Sequence, residues 1–324
     1  MTHQKQPPTD RPLLMEFVLL DDVSMLSVTS AIEPLRVANR LAGRACYDWR
    51  VVSLDGAPIR ASNGLTLESN GAIGEGPLPD YTFICAGLCV DVENPNRLLA
   101  FLSRRHAAGV TIGAISMGTV LLARAGLLRG RTCTLHWESL PAFRDDNPDI
   151  TVTDAIYEID GRIVSCSGGM ASLDLMLALI GQDHNKRLVD SIANQLQLNR
   201  IRTDKVVQST GASRLPDTAP KQLRLACAIL SENMETPLTL PDLAKSVGTS
   251  RRTLERMFAK HTGMTPAKFA KTQRLERARA LLINSNLALL DIAVMTGFRS
   301  AAHFSSSFSA HFDIAPSLLR QSAP

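Results

Sequence analysis

Residues 240–258 read LPDLAKSVGTSRRTLERMF, and residues 289–308 follow the same plan as LLDIAVMTGFRSAAHFSSSF. In each stretch a short apolar segment of helical periodicity runs into a glycine, Gly248 or Gly297. A serine that can cap a second helix follows a few residues later. A helix, a tight turn and a second helix form a helix-turn-helix unit. Two such units in one chain predict a protein that contacts two stretches of DNA.

The second helix of the first unit has an apolar side and a charged side. The i, i+3, i+4, i+7 spacing of its apolar side predicts a core-facing stripe of Leu254, Met257, Phe258 and His261. Arginines on the other side can bind guanine in a bidentate manner, and a glutamate can accept from the cytosine amino group. An ordinary helical bundle with polar faces is the alternative interpretation. The predicted DNA-binding residues of this unit are Ser250, Arg251, Arg252, Thr253, Glu255, Arg256 and Lys260.

The second helix of the second unit has an outward face almost without charge. Its predicted inward stripe is Phe304, Phe308, His311 and Phe312. The outward face suits thymine methyl groups and phosphates, so we expect it to supply less affinity than the first unit. The predicted DNA-binding residues here are Ala301, Ala302, His303, Ser305 and Ser306.

A long helix is predicted between the two units, with Thr265 as its cap and Pro266 at its first position. About 18 residues at ~1.5 Å per residue make a helix of about 27 Å. That length can hold two DNA-reading helices roughly 34 Å apart, which is one turn of DNA. Its cations serve either phosphates or simple solvation. They are Lys268, Lys271, Arg274, Arg277 and Arg279.

Residues 222–320 resemble the DNA-binding domain of the AraC/XylS family of transcriptional regulators. The resemblance rests on the Leu-Ala-x-x-Val-Gly-x-Ser-x-Arg-x-Leu-x-Arg-x-Phe pattern of residues 243–258 and on the Asp-Ile-Ala and Gly-Phe elements of residues 291–298. The chain departs from the family at Ser306 and Ser309, where Arg or Lys is common, and at Asp313, where Gly is usual. The resemblance implies promoter DNA and RNA polymerase as partners.

Length and charge indicate two domains. Residues 213–324 contain 15 Lys and Arg against 8 Asp and Glu, a net charge of +7, whereas residues 1–212 contain 20 against 23, a net charge of −3. A basic domain beside a slightly acidic one is typical of a DNA reader joined to a domain that does not touch DNA. The predicted parts are a mobile tail (1–12), a sensing domain (13–207), a linker (208–220) and the DNA-binding domain (221–324).

The remaining composition favours a cytoplasmic protein. The polar start does not resemble a signal peptide, and no apolar run approaches the ~20 residues that a membrane span requires. The six cysteines form no CxxC pair and no Cys/His group with zinc spacing. We therefore expect reduced thiols, no metal, no cofactor and no membrane partner.

Residues 13–205 alternate short apolar runs with helical segments. This alternation predicts a three-layer α/β sandwich of the flavodoxin-like kind on a mainly parallel sheet, with ligands at the carboxyl ends of the strands. The predicted strands are 13–20, 49–54, 81–86, 110–115, 132–135, 156–159 and 163–166. The predicted helices are 24–41, 95–108, 119–127, 138–145 and 171–180.

Residues 114–118, Ala-Ile-Ser-Met-Gly, are typical of a nucleophile elbow, in which a strand turns sharply into a helix. Together with Thr-Leu-His-Trp at 134–137 and Cys-Ser-Gly-Gly at 166–169, this stretch resembles the class I amidotransferase-like (PfpI-type) sensor domain of the GlxA subgroup of AraC regulators. Enzymes of that superfamily carry Cys partnered by His at the elbow. Here Ser116 is a weaker nucleophile, and no Asp or Glu lies between it and His136 to complete a hydrolase triad.

The predicted ligand-binding residues are Ser116, Met117, His136, Gly87 and Glu33. Glu33 is either a pocket carboxylate or a packed helix-end acid, and Ser116 and His136 either line a pocket or only hold the fold. Asp174, a single acid in an apolar helix, should have a partner.

We therefore expect a ligand-responsive transcriptional regulator, an activator that acts as a homodimer, with a catalytically inactive sensor. The resemblance implies control of genes for small nitrogen compounds such as amino acids, betaines and carnitine. One alternative is an amidotransferase-like or serine hydrolase enzyme with an appended DNA-binding domain. Another is a sensor that has lost its ligand and serves only for dimerisation.

Overall fold

The computed structural model describes residues 11–88, 90, 92, 94–208, 219–284 and 287–322. The chain divides into two compact units, Met1–Gln208 and Ser209–Pro324. Most of the tail predicted for residues 1–12 and of the linker predicted for residues 208–220 lies outside the described residues.

The first unit, as far as it is described, is built on a six-stranded sheet. Five neighbouring strands run parallel, and the last strand pairs antiparallel at one edge. The strands of this sheet are β1 (Leu13–Leu19), β2 (Tyr47–Val52), β5 (Tyr81–Ala86), β6 (Thr111–Ser116), β9 (Tyr157–Asp160) and β10 (Ile163–Cys166). Their order, β2-β1-β5-β6-β10-β9, is that of a flavodoxin-like sheet with one added edge strand.

Two pairs of two-residue strands lie outside the main sheet, and the sequence reading found only part of one of them. Such strands are too short to show the alternation on which a strand prediction depends. They are β3 (Ile59–Arg60) with β4 (Thr66–Leu67), and β7 (Thr132–Cys133) with β8 (Thr151–Val152).

Helices cover both faces of the sheet, which confirms the predicted three-layer sandwich. The helices are α1 (Met25–Ala42), α2 (Pro95–Ala107), α3 (Gly118–Arg124), α4 (Leu140–Asp146), α5 (Ala171–Asp183) and α6 (Lys186–Gln195). One core lies beneath α1, α5 and α6, and a second lies beneath α2, α3 and α4. Side chains alternate along β1, so that Phe17 enters the first core and Val18 the second. The helix α6 is absent from the helices predicted from the sequence.

The described residues of the second unit, Ser209–Pro324, form helices and no strand. Its helices are α7 (Lys221–Glu232), α8 (Leu240–Ser246), α9 (Arg251–Thr262), α10 (Pro266–Asn284), α11 (Leu289–Met295), α12 (Ala301–Phe312) and α13 (Pro316–Ser322). The first helix-turn-helix packs with α7 and with Phe269 around one core, and the ring centroids of Phe258 and Phe269 lie 5.2 Å apart.

The long helix α10 begins as predicted, since Pro266 is its first residue and the Thr265 hydroxyl accepts from the Lys268 amide at 3.2 Å. Its buried residues do not form one stripe: Phe269, Leu275 and Leu281 point in different directions around the helix. A helix buried on several sides is what packing against both helix-turn-helix units requires.

Two predicted boundaries need correction at their ends. The predicted mobile tail includes Arg11, yet the Arg11 guanidinium donates to both carboxylate oxygens of Asp80 at 2.7 and 2.8 Å. The predicted linker includes Gln208, yet the Gln208 backbone amide donates to the Asp154 carbonyl at 2.7 Å. Both residues are held by the first unit.

Within the described residues no helix is long and apolar enough to cross a bilayer. The described cysteines are unpaired and buried; they are Cys46, Cys85, Cys133, Cys166 and Cys227. The same residues contain no group of three or more His, Cys, Asp or Glu side chains able to hold a metal ion.

Candidate functional site

The first helix-turn-helix presents one row of cations to solvent. Ser250 caps α9, since its hydroxyl accepts from the Thr253 amide at 3.2 Å. Arg252, Arg256 and Lys260 lie four residues apart on the exposed side of α9, opposite the buried Leu254 and Phe258. None of the three makes an ion pair with another described residue, so their charges are available to a polyanion.

Glu255 is less exposed than those cations and already has a partner. Its carboxylate accepts from the Arg251 guanidinium at 3.0 Å, four residues earlier on the same helix. To accept from a cytosine amino group, Glu255 would have to share or exchange this partner. Arg251 therefore orients Glu255 at the start of α9.

The second helix-turn-helix repeats the backbone plan with a different surface. Ser300 caps α12 by accepting from the His303 amide at 3.2 Å. Phe304 and Phe308 are buried as predicted, but the inward placement of His311 is wrong, because His311 is exposed and Ser307 is buried instead. The outward side of α12 carries no charged Lys, Arg, Asp or Glu. Its predicted DNA-binding residues are Ala301, Ala302, His303, Ser305 and Ser306, of which Ala301 and Ser305 are half-buried and the other three exposed.

One exposed cation of the second helix-turn-helix is not among the DNA-binding residues predicted from the sequence. Arg299 lies in the turn just before the cap of α12 and is exposed. A cation beside a helix N-terminus adds to the attraction that the free backbone amides exert on phosphate. The sequence signal for this residue is a basic side chain directly before the serine that caps α12.

The sequence predicts that Arg274 of α10 serves phosphates or solvation, and the structure corrects this prediction. Its guanidinium donates to the Gly297 carbonyl at 2.9 Å and lies 4.9 Å from the centre of the Phe298 ring. Burial lowers the pKa of Arg274. Arg274 therefore fastens the turn of the second helix-turn-helix to α10.

The structure confirms the elbow that the sequence predicts in the N-terminal unit, Met1–Gln208. Ser116 ends β6 with a φ of 58°, a left-handed conformation that is unusual for a residue other than glycine. Gly118 opens α3, and a Cβ there would lie 2.2 Å from the Ile84 carbonyl oxygen. The sharp turn therefore depends on a residue without a side chain two positions after Ser116.

The turn after β10 lies directly against the elbow. A Cβ on Gly168 would lie 2.8 Å from the Ser116 Cβ and 3.2 Å from the Ser27 hydroxyl. The Gly169 amide donates to the same Ser27 hydroxyl at 2.6 Å. Ser27, a buried residue near the start of α1, thus joins Ser116 at the carboxyl edge of the sheet. No sequence motif had marked it.

The thiol of Cys166, the last residue of β10, is not suited to act as a nucleophile. Its thiol is fully buried and lies 3.7 Å from the Ser172 hydroxyl. Burial raises the pKa of the Cys166 thiol to about 11, although hydrogen bonds from Gly168, Ser172 and Ser116 oppose the shift. The thiol therefore stays protonated at neutral pH.

His136 and Met117 are placed differently from Ser116. Burial lowers the pKa of His136, and its Nδ1 is buried without a hydrogen-bond partner among the described residues. No hydrogen bond joins its imidazole to Ser116. The Met117 side chain is buried in the core beneath α2, α3 and α4, so only its backbone is available to a compound at the elbow.

Gly87 and Glu33 have distinct positions as well. Gly87 follows β5 and is buried against the backbone of Asp22, whose carbonyl oxygen would lie 2.1 Å from a Cβ. The carboxyl ends of β1 and β5 therefore meet at Gly87, where the strand order reverses. Glu33 is 45% exposed and pairs with Arg36 on α1 at 2.7 Å. That ion pair makes it a solvated helix acid in this structure.

The partner predicted for Asp174 is confirmed. Asp174, 3% exposed in α5, accepts from the Arg202 guanidinium at 2.6 and 2.9 Å and from the Arg202 amide at 3.0 Å. This pair fastens the segment that follows α6 to the body of the first unit.

Comparison with known families agrees with both units. Residues 17–182 match the DJ-1/PfpI family, and residues 243–322 match a helix-turn-helix domain family. The chain belongs to the AraC family of helix-turn-helix transcriptional regulators, in the group whose N-terminal domain is of the DJ-1/PfpI type.

Relatives similar to this chain along nearly all its length carry the same description. The HTH-type transcriptional regulator CdhR of Pseudomonas aeruginosa is 39% identical, over 95% of this chain and 91% of the relative. GbdR of the same species, also an HTH-type transcriptional regulator, is 35% identical over 98% and 87%. The crystal structure of an AraC family transcriptional regulator from Pseudomonas putida covers 57% of this chain and all of its own, with a TM-score of 0.52 and 27% identity. The chain is thus a transcriptional regulator that binds promoter DNA.

Proposed function

We propose that this regulator is an activator that reads one half of its operator mainly through α9 and responds to a small carboxylate-bearing nitrogen compound at the elbow. The exposed row of Arg252, Arg256 and Lys260 carries the DNA part of the proposal. Arginine can bind guanine O6 and N7 in a bidentate manner, while Lys260 fits a phosphate. Promoter DNA, RNA polymerase and a second copy of the chain are the proposed macromolecular partners, and the cytoplasm is the proposed compartment.

Unequal half-sites test the DNA part. Because α9 carries three exposed cations that pair with no described acid, and α12 carries none on its outward side, base substitutions should weaken binding strongly in one half-site and little in the other. Footprinting of the full chain on its promoter, followed by binding to substituted operators, measures this. Equally strict half-sites would overturn the assignment of base reading to α9.

The elbow supports a binding site rather than a catalytic one. Ser116 is 6% exposed, and its hydroxyl makes no hydrogen bond to a described His, Asp or Glu side chain that could take its proton. Hydroxyls of Ser27 and Ser116 beside the glycines of the turn after β10 offer donors that suit a carboxylate. We therefore infer a sensor that binds its effector without turning it over.

Substitution at the elbow tests the sensor part. Ser116→Trp should abolish the response of the full chain to its effector, screened with glycine betaine, L-carnitine and L-arginine, and should leave DNA binding without effector in place. Ser191→Trp in α6, where Ser191 is half-buried and its hydroxyl donates to the Arg187 carbonyl, is the matched control. Ser116→Asn, a smaller residue that tolerates a positive φ, covers the case in which the tryptophan prevents folding. Retained induction in a folded variant would move the effector site elsewhere.

The enzyme alternative makes a different prediction. If Ser116 were a nucleophile, the full chain would hydrolyse amide or ester substrates, and Ser116→Ala would lose that turnover. We expect no turnover that depends on Ser116, because no general base is paired with it.

A further inference from the structure

The chain leaves the first unit along a short extended segment, residues 206–208. The Ile156 amide donates to the Val206 carbonyl at 2.9 Å, and the Gln208 amide donates to the Asp154 carbonyl at 2.7 Å. Val207 bridges antiparallel to Ala155, and its side chain is 66% exposed. Because side chains alternate along an extended segment, the side chain of Gln208 turns inward where that of Val207 turns to solvent.

The Gln208 side-chain amide is surrounded by acceptors. Its Nε2 lies 2.9 Å from the Thr134 hydroxyl, 2.8 Å from the Leu135 carbonyl and 3.0 Å from the Ala155 carbonyl. Carbonyl oxygens only accept, so the amide nitrogen has to face them, and the orientation of the side chain is determined. Its Oε1 is buried without a partner among the described residues.

Thr134 connects the Gln208 side chain to the elbow. It is fully buried, and its carbonyl accepts from the Thr119 hydroxyl at 2.9 Å. Its amide donates to the Ser165 hydroxyl at 2.9 Å. Thr119 lies in α3, three residues after Ser116, and Ser165 lies in β10 beside Cys166. Thr134 is therefore bonded to both elements that meet at the elbow and, through its hydroxyl, to Gln208.

We propose that Gln208 is a positioning residue that couples occupancy of the elbow to the start of the linker. The coupling runs from α3 through Thr119 and Thr134 to the Gln208 amide. A compound at the elbow that binds the fastened and released arrangements of Gln208 with different affinity shifts their populations. This inference rests on the proposed effector site at Ser116 and names how that site controls the rest of the chain.

Gln208→Glu in the full chain removes the anchor with almost no change of shape. A carboxylate would face the Leu135 and Ala155 carbonyls without a proton to donate, so the hydrogen bonds to both carbonyls are lost. Hydrogen–deuterium exchange at the amides of Ile156 and Gln208 should become at least tenfold faster. Gln197→Glu, an exposed glutamine in the same segment after α6, makes the same charge change and should leave exchange at those amides unaltered. Gln208→Met, which loses the donor without adding charge, should behave like Gln208→Glu.

Filling the elbow tests the coupling without knowledge of the natural effector. Ser116→Trp should change exchange at the Gln208 amide by at least threefold, and Thr119→Val, which removes one hydroxyl at constant shape, should abolish that change. Unaltered exchange at Gln208 in a folded Ser116→Trp protein would overturn the coupling.

Transcription of a reporter separates this inference from the proposed function. Loss of effector response in both Ser116→Trp and Gln208→Glu supports both. A lost response in Ser116→Trp with a normal response in Gln208→Glu overturns the coupling and leaves the effector site standing. A normal response in folded Ser116→Trp overturns the effector site, and the coupling falls with it, leaving Gln208 a structural anchor.

Discussion

The two helix-turn-helix units of this chain are built on the same scaffold and differ in what they expose. A displacement of 50 residues superimposes α9 on α12 in sequence: Ser250 corresponds to Ser300 as the cap, and Phe258 corresponds to Phe308 in the core. The exposed positions differ in chemistry. The same displacement pairs Arg252, Arg256 and Lys260 of α9 with Ala302, Ser306 and Ala310 of α12.

The turns differ as well. Four residues, 247–250, join α8 to α9, whereas five residues, 296–300, join α11 to α12. The longer turn includes Phe298 and Arg299, and Phe298 contacts Arg274 of α10. The first helix-turn-helix therefore concentrates charge on its DNA-reading helix, α9. The second helix-turn-helix is held by α10 and has an exposed cation, Arg299, in its turn. Core positions preserve the shape of a helix-turn-helix, and exposed positions are free to set how each unit binds.

The largest expected difference between the two helix-turn-helix motifs is the loss of stability when the glycine of each turn is replaced. Gly297 has a φ of 70°, and a Cβ there would lie 2.2 Å from the Met234 carbonyl oxygen. Gly248 has a φ of 67° but open space around it. Gly297→Ala should lower the free energy of unfolding by about 2–5 kcal/mol, combining left-handed strain with overpacking, and Gly248→Ala by about 1–2 kcal/mol. Urea denaturation measures both, and equal losses would contradict the close approach at Gly297.

Exchanging exposed residues tests the difference in DNA binding. Arg256→Ser should cost about 1–3 kcal/mol on the specific site, roughly a 5- to 150-fold weaker Kd, and should relax one base position. Ser306→Arg should tighten binding and make the second half-site stricter. Fluorescence anisotropy on specific and random DNA measures both variants. An equal loss for Arg256→Ser on random DNA would show that Arg256 contacts only phosphate.

Loosening the second unit from α10 should have a somewhat smaller effect. Arg274→Met removes the hydrogen bond to Gly297 and the contact with Phe298, which together contribute about 1–2 kcal/mol. Footprinting should then show weaker protection of the half-site read by α12 and unchanged protection of the other. Lys271→Met, at an exposed position of the same helix, is the control. Uniform weakening at both half-sites would mean that Arg274 stabilises the whole domain rather than one reading helix.

The smallest effect is expected in the salt dependence. Lys260→Ala should reduce the slope of log Kobs against log salt concentration by about 0.9, the contribution of one phosphate contact. Ala310→Lys should increase the slope by a similar amount if α12 lies as close to the backbone as α9 does. A slope unaffected by Ala310→Lys would show that the second unit stands further from DNA.

Local features of the fold could be predicted from the sequence because they depend on near neighbours. The strands Tyr81–Ala86 and Ile163–Cys166, the caps Ser250 and Ser300 and the elbow at Ser116 all follow from periodicity or from residues a few positions apart. The prediction failed at His311 because a helical period says which side is apolar, not where the core ends. It missed β3, β4 and β8 because two-residue strands carry no pattern.

The candidate site was predicted less completely. Ser116 and Gly87 lie where the elbow and the reversal of strand order require them. The Met117 side chain lies in the core, and Glu33 pairs with Arg36 in solvent. The sequence alone offered a choice between roles for Glu33, and only its neighbour on the exposed face of α1 decided the arrangement seen here.

The sequence by itself determined the class of protein, because two helix-turn-helix patterns, a basic C-terminal third and an elbow motif can all be recognised without knowledge of distant contacts. Only the tertiary structure decided which polar side chains act together. Ser27 meets Gly169 across 142 residues, Gln208 meets Thr134 across 74, and Arg274 meets Gly297 across 23. A single polar residue carries no periodicity, so its partner is set by how sheets and helices pack, and that packing depends on the whole chain at once.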